Sequence, residues 1–215
     1  MSRPAPCVIN FTPDHFRRID ESADENFYDF PRKTVHIDDS AIATVREIYL
    51  ARMPSGGRIL DLMSSWRSHL AAELAPLSVV GVGLNRPEME DNPALTEIVV
   101  HNVNRSARLP LDDRSFDGAV MTVSVQYLTN PIQTFAEVGR VLRPGAPFVV
   151  TFSNRMFPTK AAAIWVNSSE LERILIVEEY FRQSGCFQKI EVIGQRHAGP
   201  LADPVYAVLG FRDDA

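Results

Sequence analysis

A chain of 215 residues with 45% hydrophobic and 23% charged residues suits one globular domain with a real core, and excludes a disordered or fibrous chain. The formal net charge is −5 and no Lys/Arg block occurs, so the electrostatic footprint of a nucleic-acid binder is missing. Cys7 and Cys186 are too few for a disulfide framework and lack metal-ligand spacing, and no run has the length and apolarity of a signal core or a bilayer span; a cytoplasmic protein without a metal site or membrane insertion is expected.

Residues 1–24, with Pro4, Pro6 and Pro13, read as an arm with a short helix around His15 to Ile19. Residues 26–39 are denser, gathering Tyr28, Arg32, His36 and Asp38 among further aromatic and acidic side chains. Two readings apply: anchors for the arm with Asp38-Asp39-Ser40 capping the next helix, or a lid whose Tyr28, Arg32, His36 and Asp38 face a substrate. The chain thus divides into an arm over 1–39 and an α/β domain over 40–215. The spacing of Ile42, Val45, Ile48 and Tyr49 predicts a helix over 40–53, stopped by Pro54-Ser55-Gly56-Gly57.

Arg58 to Met63 reads as a first buried strand, followed by Ser64-Ser65-Trp66-Arg67-Ser68-His69 and an alanine-rich helix as far as Ala75. Leu77 to Asn85 is a second strand, Arg86 to Leu95 a short helix or turn, and Glu97 to Asn104 a third strand. Ala119 to Val125, uncharged and β-branched, predicts a strand buried on both faces. Asn130 and Pro131 start a helix whose apolar residues recur at Ile132, Phe135, Val138, Val141 and Leu142. Arg143-Pro144-Gly145 stops it, and Phe148 to Phe152 forms a fifth strand, completing a βαβ crossover between parallel strands. A further helix spans Ser169 to Gly185 with Leu171, Leu175, Tyr180 and Phe181 on its inner face. Two strands, Phe187 to Gln195 and Val205 to Arg212, end the chain around a turn at His197 to Pro204.

The stretch Leu109-Pro110-Leu111, Ser115-Phe116-Asp117 and Glu137-Val138-Gly139-Arg140-Val141-Leu142-Arg143-Pro144-Gly145 resembles class I S-adenosylmethionine-dependent methyltransferases, particularly the type 11 group. A narrower resemblance, to methyltransferase-like proteins with an Asp-Leu-x-Ser-Ser-Trp-x-Ser-His loop, rests on Asp61 to His69, on Pro31-Arg32 with His36-Ile37-Asp38-Asp39, and on Ser153-Asn154-Arg155. The resemblance implies a Rossmann-like seven-stranded, mainly parallel sheet with helices on both faces and a terminal antiparallel hairpin. It also implies S-adenosyl-L-methionine as cofactor, held by Asp61, Met63, Ser64, Ser65, Gly83, Leu84, Asn85, Asn102, Val103, Thr122, Val123 and Ser124. Tyr127, Asn154 and Arg155 become the positioning residues on the side of a small-molecule acceptor.

The chain departs from the family at three places. Met63-Ser64-Ser65 replace a glycine-rich turn, whose glycines let backbone approach the ligand. Gly83 stands where a strand-end acid accepts from both ribose hydroxyls, leaving Asn85 or Glu88 as substitutes. Asn102 and Asn104 are the nearest equivalents of an Asp that the family places near the adenine amino group, and their amide oxygens can still accept from it. These losses keep a second function open, a non-catalytic binding or regulatory module on the same scaffold. A nicotinamide reductase lacks its glycine fingerprint and its Tyr-x-x-x-Lys pair.

Overall fold

The computed structural model describes residues 8–196 and 202–214. Five parallel strands, β1 (Arg58–Leu62), β2 (Ser78–Gly83), β3 (Glu97–Val100), β4 (Gly118–Thr122) and β5 (Pro147–Phe152), are joined by β7 (Val205–Arg212), antiparallel to β5, and β6 (Phe187–Arg196), antiparallel to β7. The order β3-β2-β1-β4-β5-β7-β6 makes one seven-stranded sheet. Chain order reverses between β1 and β4, so a crevice opens at their carboxyl ends, where open α/β sheets take ligands.

Alternation along each strand divides the core. Ile59, Val79, Val120 and Val149 pack with Ile42, Val45, Ile48 and Tyr49 of α2 (Asp39–Arg52), while Leu60, Val80, Met121, Phe148 and Val150 face the other layer. That second layer is built from Phe135 and Val138 of α4 (Pro131–Val141) and Val177, Tyr180 and Phe181 of α6 (Glu170–Ser184), with Phe135 set edge-on to Phe148 and Phe181. Short helices α1 (Asp24–Phe27), α3 (Arg86–Glu90) and α5 (Ala163–Val166) complete the set.

Several local expectations are corrected. The alanine-rich helix after Ser65 does not form: Met63 and His69 have φ of 56° and 53°, and only a 3-10 turn over Ala72–Leu74 appears. Ser64 and Ser68 spend their hydroxyls on Asp61 instead, the competition by which serine resists helix. β4 stops at Thr122 because Val123 turns to φ 48°, a strained setting for a β-branched residue, and Val125–Tyr127 form a 3-10 turn. β3 ends at Val100, and residues 101–104 turn back around the Asn102 side chain, which accepts from the Asn104 amide. Asn130 precedes α4 without a side-chain capping bond. The arm's first helix is a 3-10 turn over Pro13–Phe16.

On α6 the inner face carries Ile174, Val177, Tyr180 and Phe181, whereas Leu171 and Leu175 are exposed. Arg173, Glu178 and Glu179 are buried in their place, through Trp165 O for the first and Arg182 for the two acids. Ser169 and Glu172 form the capping box that starts α6, and Gly185 at φ 73° ends it. The first residues of the turn expected at His197 to Pro204 lie outside the described ones.

Candidate functional site

At the carboxyl ends of β1, β2 and β4 a crevice of about 150 Å³ is bounded on one side by the sheet and on the other by the arm. Its lining includes Asp61, Met63, Ser64, Ser65, Gly83, Leu84, Asn85, Asn102, Val103, Thr122, Val123, Ser124 and Tyr127, and from the arm Tyr28, Arg32 and His36. The sequence-predicted residues therefore meet in one place, with three exceptions. Arg155 is exposed and pairs with Asp203 at 2.7 Å, Asn154 is exposed, and Asp38 caps α2 by accepting from the Ala41 amide at 2.8 Å. Asp38 and Asp203 also bond each other's backbone amides, tying the arm to the hairpin.

Asp61, 3% exposed, is a buried carboxyl at the crevice floor. The Ser64 and Ser68 hydroxyls both donate to its Oδ2 at 2.6 Å, yet burial outweighs them and pushes the carboxyl up from 3.8 to about 6. Asn92 extends the network by donating to the Ser68 hydroxyl and the Ser65 carbonyl, both at 2.9 Å. Ser124 adds a buried hydroxyl without a hydrogen-bond partner.

The altered loop has a geometric reason. The Ser64 amide donates to Val82 O at 2.8 Å, which lays the loop across the end of β2. A Cβ at Gly83 would fall on the Ser64 carbonyl oxygen and within 3.0 Å of the Met89 sulfur, so an acid there is excluded by packing. Met63 takes the left-handed turn that a glycine holds more easily.

The substitutes named from sequence are already engaged. Asn85 Oδ1 accepts from the Glu88 amide at 2.9 Å and its Nδ2 donates to Tyr28 O at 2.8 Å. Asn102 accepts from the Asn104 and Arg105 amides and donates to Glu25 Oε1 at 3.0 Å. Asn104 Oδ1 accepts from the Thr129 amide, while its Nδ2 donates to Asp24 and to Tyr127 O. Glu88, buried just past β2, accepts from Ser65 Oγ at 2.5 Å and from the Arg32 and Lys33 amides at 2.5 and 3.3 Å.

Sequence reading missed the clamp that seats the arm. Lys160, 1% exposed, bonds Ser22 O at 2.7 Å and pairs with Asp20 and Asp24 at 3.1 and 3.6 Å. Arg18 pairs with Asp24 at 2.6 Å. Phe157 stacks against Tyr127 and meets Phe27 and His36 edge-on, with its amide donating to Tyr127 Oη at 2.9 Å. The run Ser22 to Phe27 holds the only signal, an acid-rich stretch beside aromatics. Burial lowers both His36 and His69, the latter to about 4 with help from Arg46 and Arg67, so both imidazoles are neutral near pH 7. Among the described residues no cluster of His, Cys, Asp and Glu is arranged to hold a metal, and no helix is long and apolar enough to cross a membrane.

Comparison with known proteins agrees with this geometry. Residues 64–150 match the methyltransferase domain family. The chain is 27% identical over 125 residues to 24-methylenesterol C-methyltransferase 2 of Arabidopsis thaliana, an alignment covering 53% of this chain and 34% of that one; it thus spans about a third of that relative. Among solved structures it resembles a possible histamine N-methyltransferase of Thermotoga maritima (TM-score 0.61, 18% identity, 81% of this chain and 90% of that one). It also resembles phosphoethanolamine N-methyltransferase 2 of Haemonchus contortus in complex with S-adenosyl-L-methionine (TM-score 0.62, 13% identity, 88% and 57%). From residue 64 to residue 150 the chain matches the methyltransferase domain family, and its sheet and helices have the Rossmann-like fold of S-adenosylmethionine-dependent methyltransferases.

Proposed function

We infer that the crevice binds S-adenosylmethionine and that the chain directs methyl transfer to a small molecule. The carrying observation is Asp61: a carboxylate buried at the switch point, raised to about 6 because burial is only partly offset by two hydroxyls, calls for a cation beside it. The orphaned Ser124 hydroxyl at the tip of β4 calls for a ligand partner in the same space. Both fit the charged methionine end of the cofactor, so the residues present suit the group.

When bound, the cofactor supplies an already activated methyl, and the chain's work is to bind, orient and exclude water. Asp61 would balance positive charge, with Met63, Ser64, Ser65 and Leu84 shaping the floor and Thr122, Val123 and Ser124 the inner wall. Gly83, Asn85, Asn102 and Val103 would bound the nucleoside side. Tyr127, Tyr28, Arg32 and His36 are assigned to the acceptor side, and neutral His36 can take a proton if the acceptor must lose one. Asn154, Arg155 and Asp38 are given no contact with either ligand. The match to methyltransferases supports this reading, and the absence of a Lys/Arg block favours a small acceptor over nucleic acid. The arm, residues 1–39, is proposed as the lid of a domain spanning 40–215.

Titration calorimetry tests the reading. Micromolar binding of S-adenosylmethionine and S-adenosylhomocysteine, weakened at least about tenfold by Asp61→Asn, is expected. No heat with millimolar ligand would overturn it in favour of a scaffold without cofactor.

A further inference from the structure

The crevice volume of about 150 Å³ lies below the roughly 300–1,000 Å³ of sites that enclose drug-sized ligands. Tyr28, Arg32, Thr34 and His36 of the arm form one of its walls. On the β2–β3 side the polar groups of the wall are bonded to the arm: Glu88 by the Arg32 and Lys33 amides, Asn85 by Tyr28 O, and Asn102 by the Glu25 carboxylate. Trp66 Nε1 reaches Thr34 O at 3.4 Å.

Of the three carboxylates lining the crevice, only one can replace the acid that Gly83 excludes. Asp24 belongs to the arm and is paired with Arg18 and Lys160. Asp61 lies at the end of β1 and holds Ser64 and Ser68. Glu88 sits one helical turn past β2, buried and facing two N–H donors that converge on a single oxygen. The Ser65 hydroxyl holds the other oxygen at 2.5 Å, so a vicinal diol, which also brings two donors, would take the place of the two amides on Oε1.

We propose that Glu88 is the ribose-binding carboxylate of this chain and that the Arg32 and Lys33 amides compete for it, so that the arm is an internal ligand which a nucleoside must displace. This rests on the cofactor reading above. The apparent affinity is then the intrinsic affinity scaled by the fraction of molecules whose arm is unseated. Asp91 and Asp203 hold the arm from outside the crevice lining, through Lys33 Nζ at 2.7 Å and the Asp38 amide at 3.0 Å. Removing them raises that fraction without touching the pocket.

The test uses the full chain and S-adenosylhomocysteine, read by calorimetry and by amide hydrogen exchange over residues 28–36. Binding should speed exchange at Arg32 and Lys33. Asp91→Ala/Asp203→Ala should tighten binding about threefold or more, and adding Glu88→Gln to that pair should weaken it about tenfold or more. Should the ligand bind yet slow exchange in the arm, or should the loosened arm or Glu88→Gln leave affinity unchanged, the competition is wrong while the cofactor reading stands. No binding by any variant overturns both.

Discussion

Replacing Asp61 by Asn removes one buried charge and leaves the shape of the side chain nearly intact, so its effect follows from the carboxyl's displaced titration. The folded carboxyl titrates at about 6 against an ordinary 3.8, a difference of about two pH units or ~3 kcal/mol at 1.36 kcal/mol per unit. A carboxyl raised in the folded state is harmless while protonated; stability is fully present below pH ~4 and is lost as pH rises through about 6. Asn stays neutral throughout, and its amide oxygen can still accept from the Ser64 and Ser68 hydroxyls that bond Oδ2. Urea unfolding of both proteins between pH 4 and 8 should therefore diverge. The difference in unfolding free energy, variant minus wild type, should grow in the variant's favour by about 2–3 kcal/mol across that range, mostly between pH 4 and 6.5. Every other titrating group cancels in the difference. Parallel pH profiles would refute the claim that Asp61 is held as an uncompensated buried carboxylate.

Placing an acid at the end of β2 with Gly83→Asp should cost about 1–3 kcal/mol in urea unfolding, because the new Cβ meets the Ser64 carbonyl and the Met89 sulfur; a neutral substitution with tighter S-adenosylmethionine binding would refute the packing argument. Lys160→Met should destabilise by about 3 kcal/mol, since Asp24 keeps Arg18 but Asp20 and the Ser22 carbonyl lose their buried cation. Its arm should also exchange amide protons faster, whereas unchanged exchange with unchanged stability would remove the clamp.

The parallel core was readable because its signal is local and periodic. β5 and the Phe135–Val138–Val141 stripe of α4 bury the residues that alternation and helical spacing point inward. The stretch from Met63 to Ala75 was not readable, since its conformation depends on where the Ser64 and Ser68 hydroxyls go, and their partner Asp61 has no periodic signature. α6 misled for another reason: hydrophobicity favoured Leu171 and Leu175, but ion pairs let Glu178 and Glu179 face inward.

Most of the crevice lining was legible only through resemblance to methyltransferases, which places residues at strand ends without saying what they bond. The resemblance gave Asn85 and Asn102 as acceptors; the structure spends their oxygens on the α3 cap and on the turn after β3. Asp24 and Lys160, far apart in the chain, meet only through the tertiary fold.

On this reading Asp61 waits for a cation. Calorimetric titration with S-adenosylmethionine at pH 6, in two buffers of different ionisation enthalpy, would reveal that cation through the proton it displaces. Wild type should bind and release about half a proton, as a carboxyl titrating near 6 is driven to its charged form; the release should vanish at pH 8 and in Asp61→Asn. Binding without proton release at pH 6, or no binding at millimolar ligand, would contradict this reading.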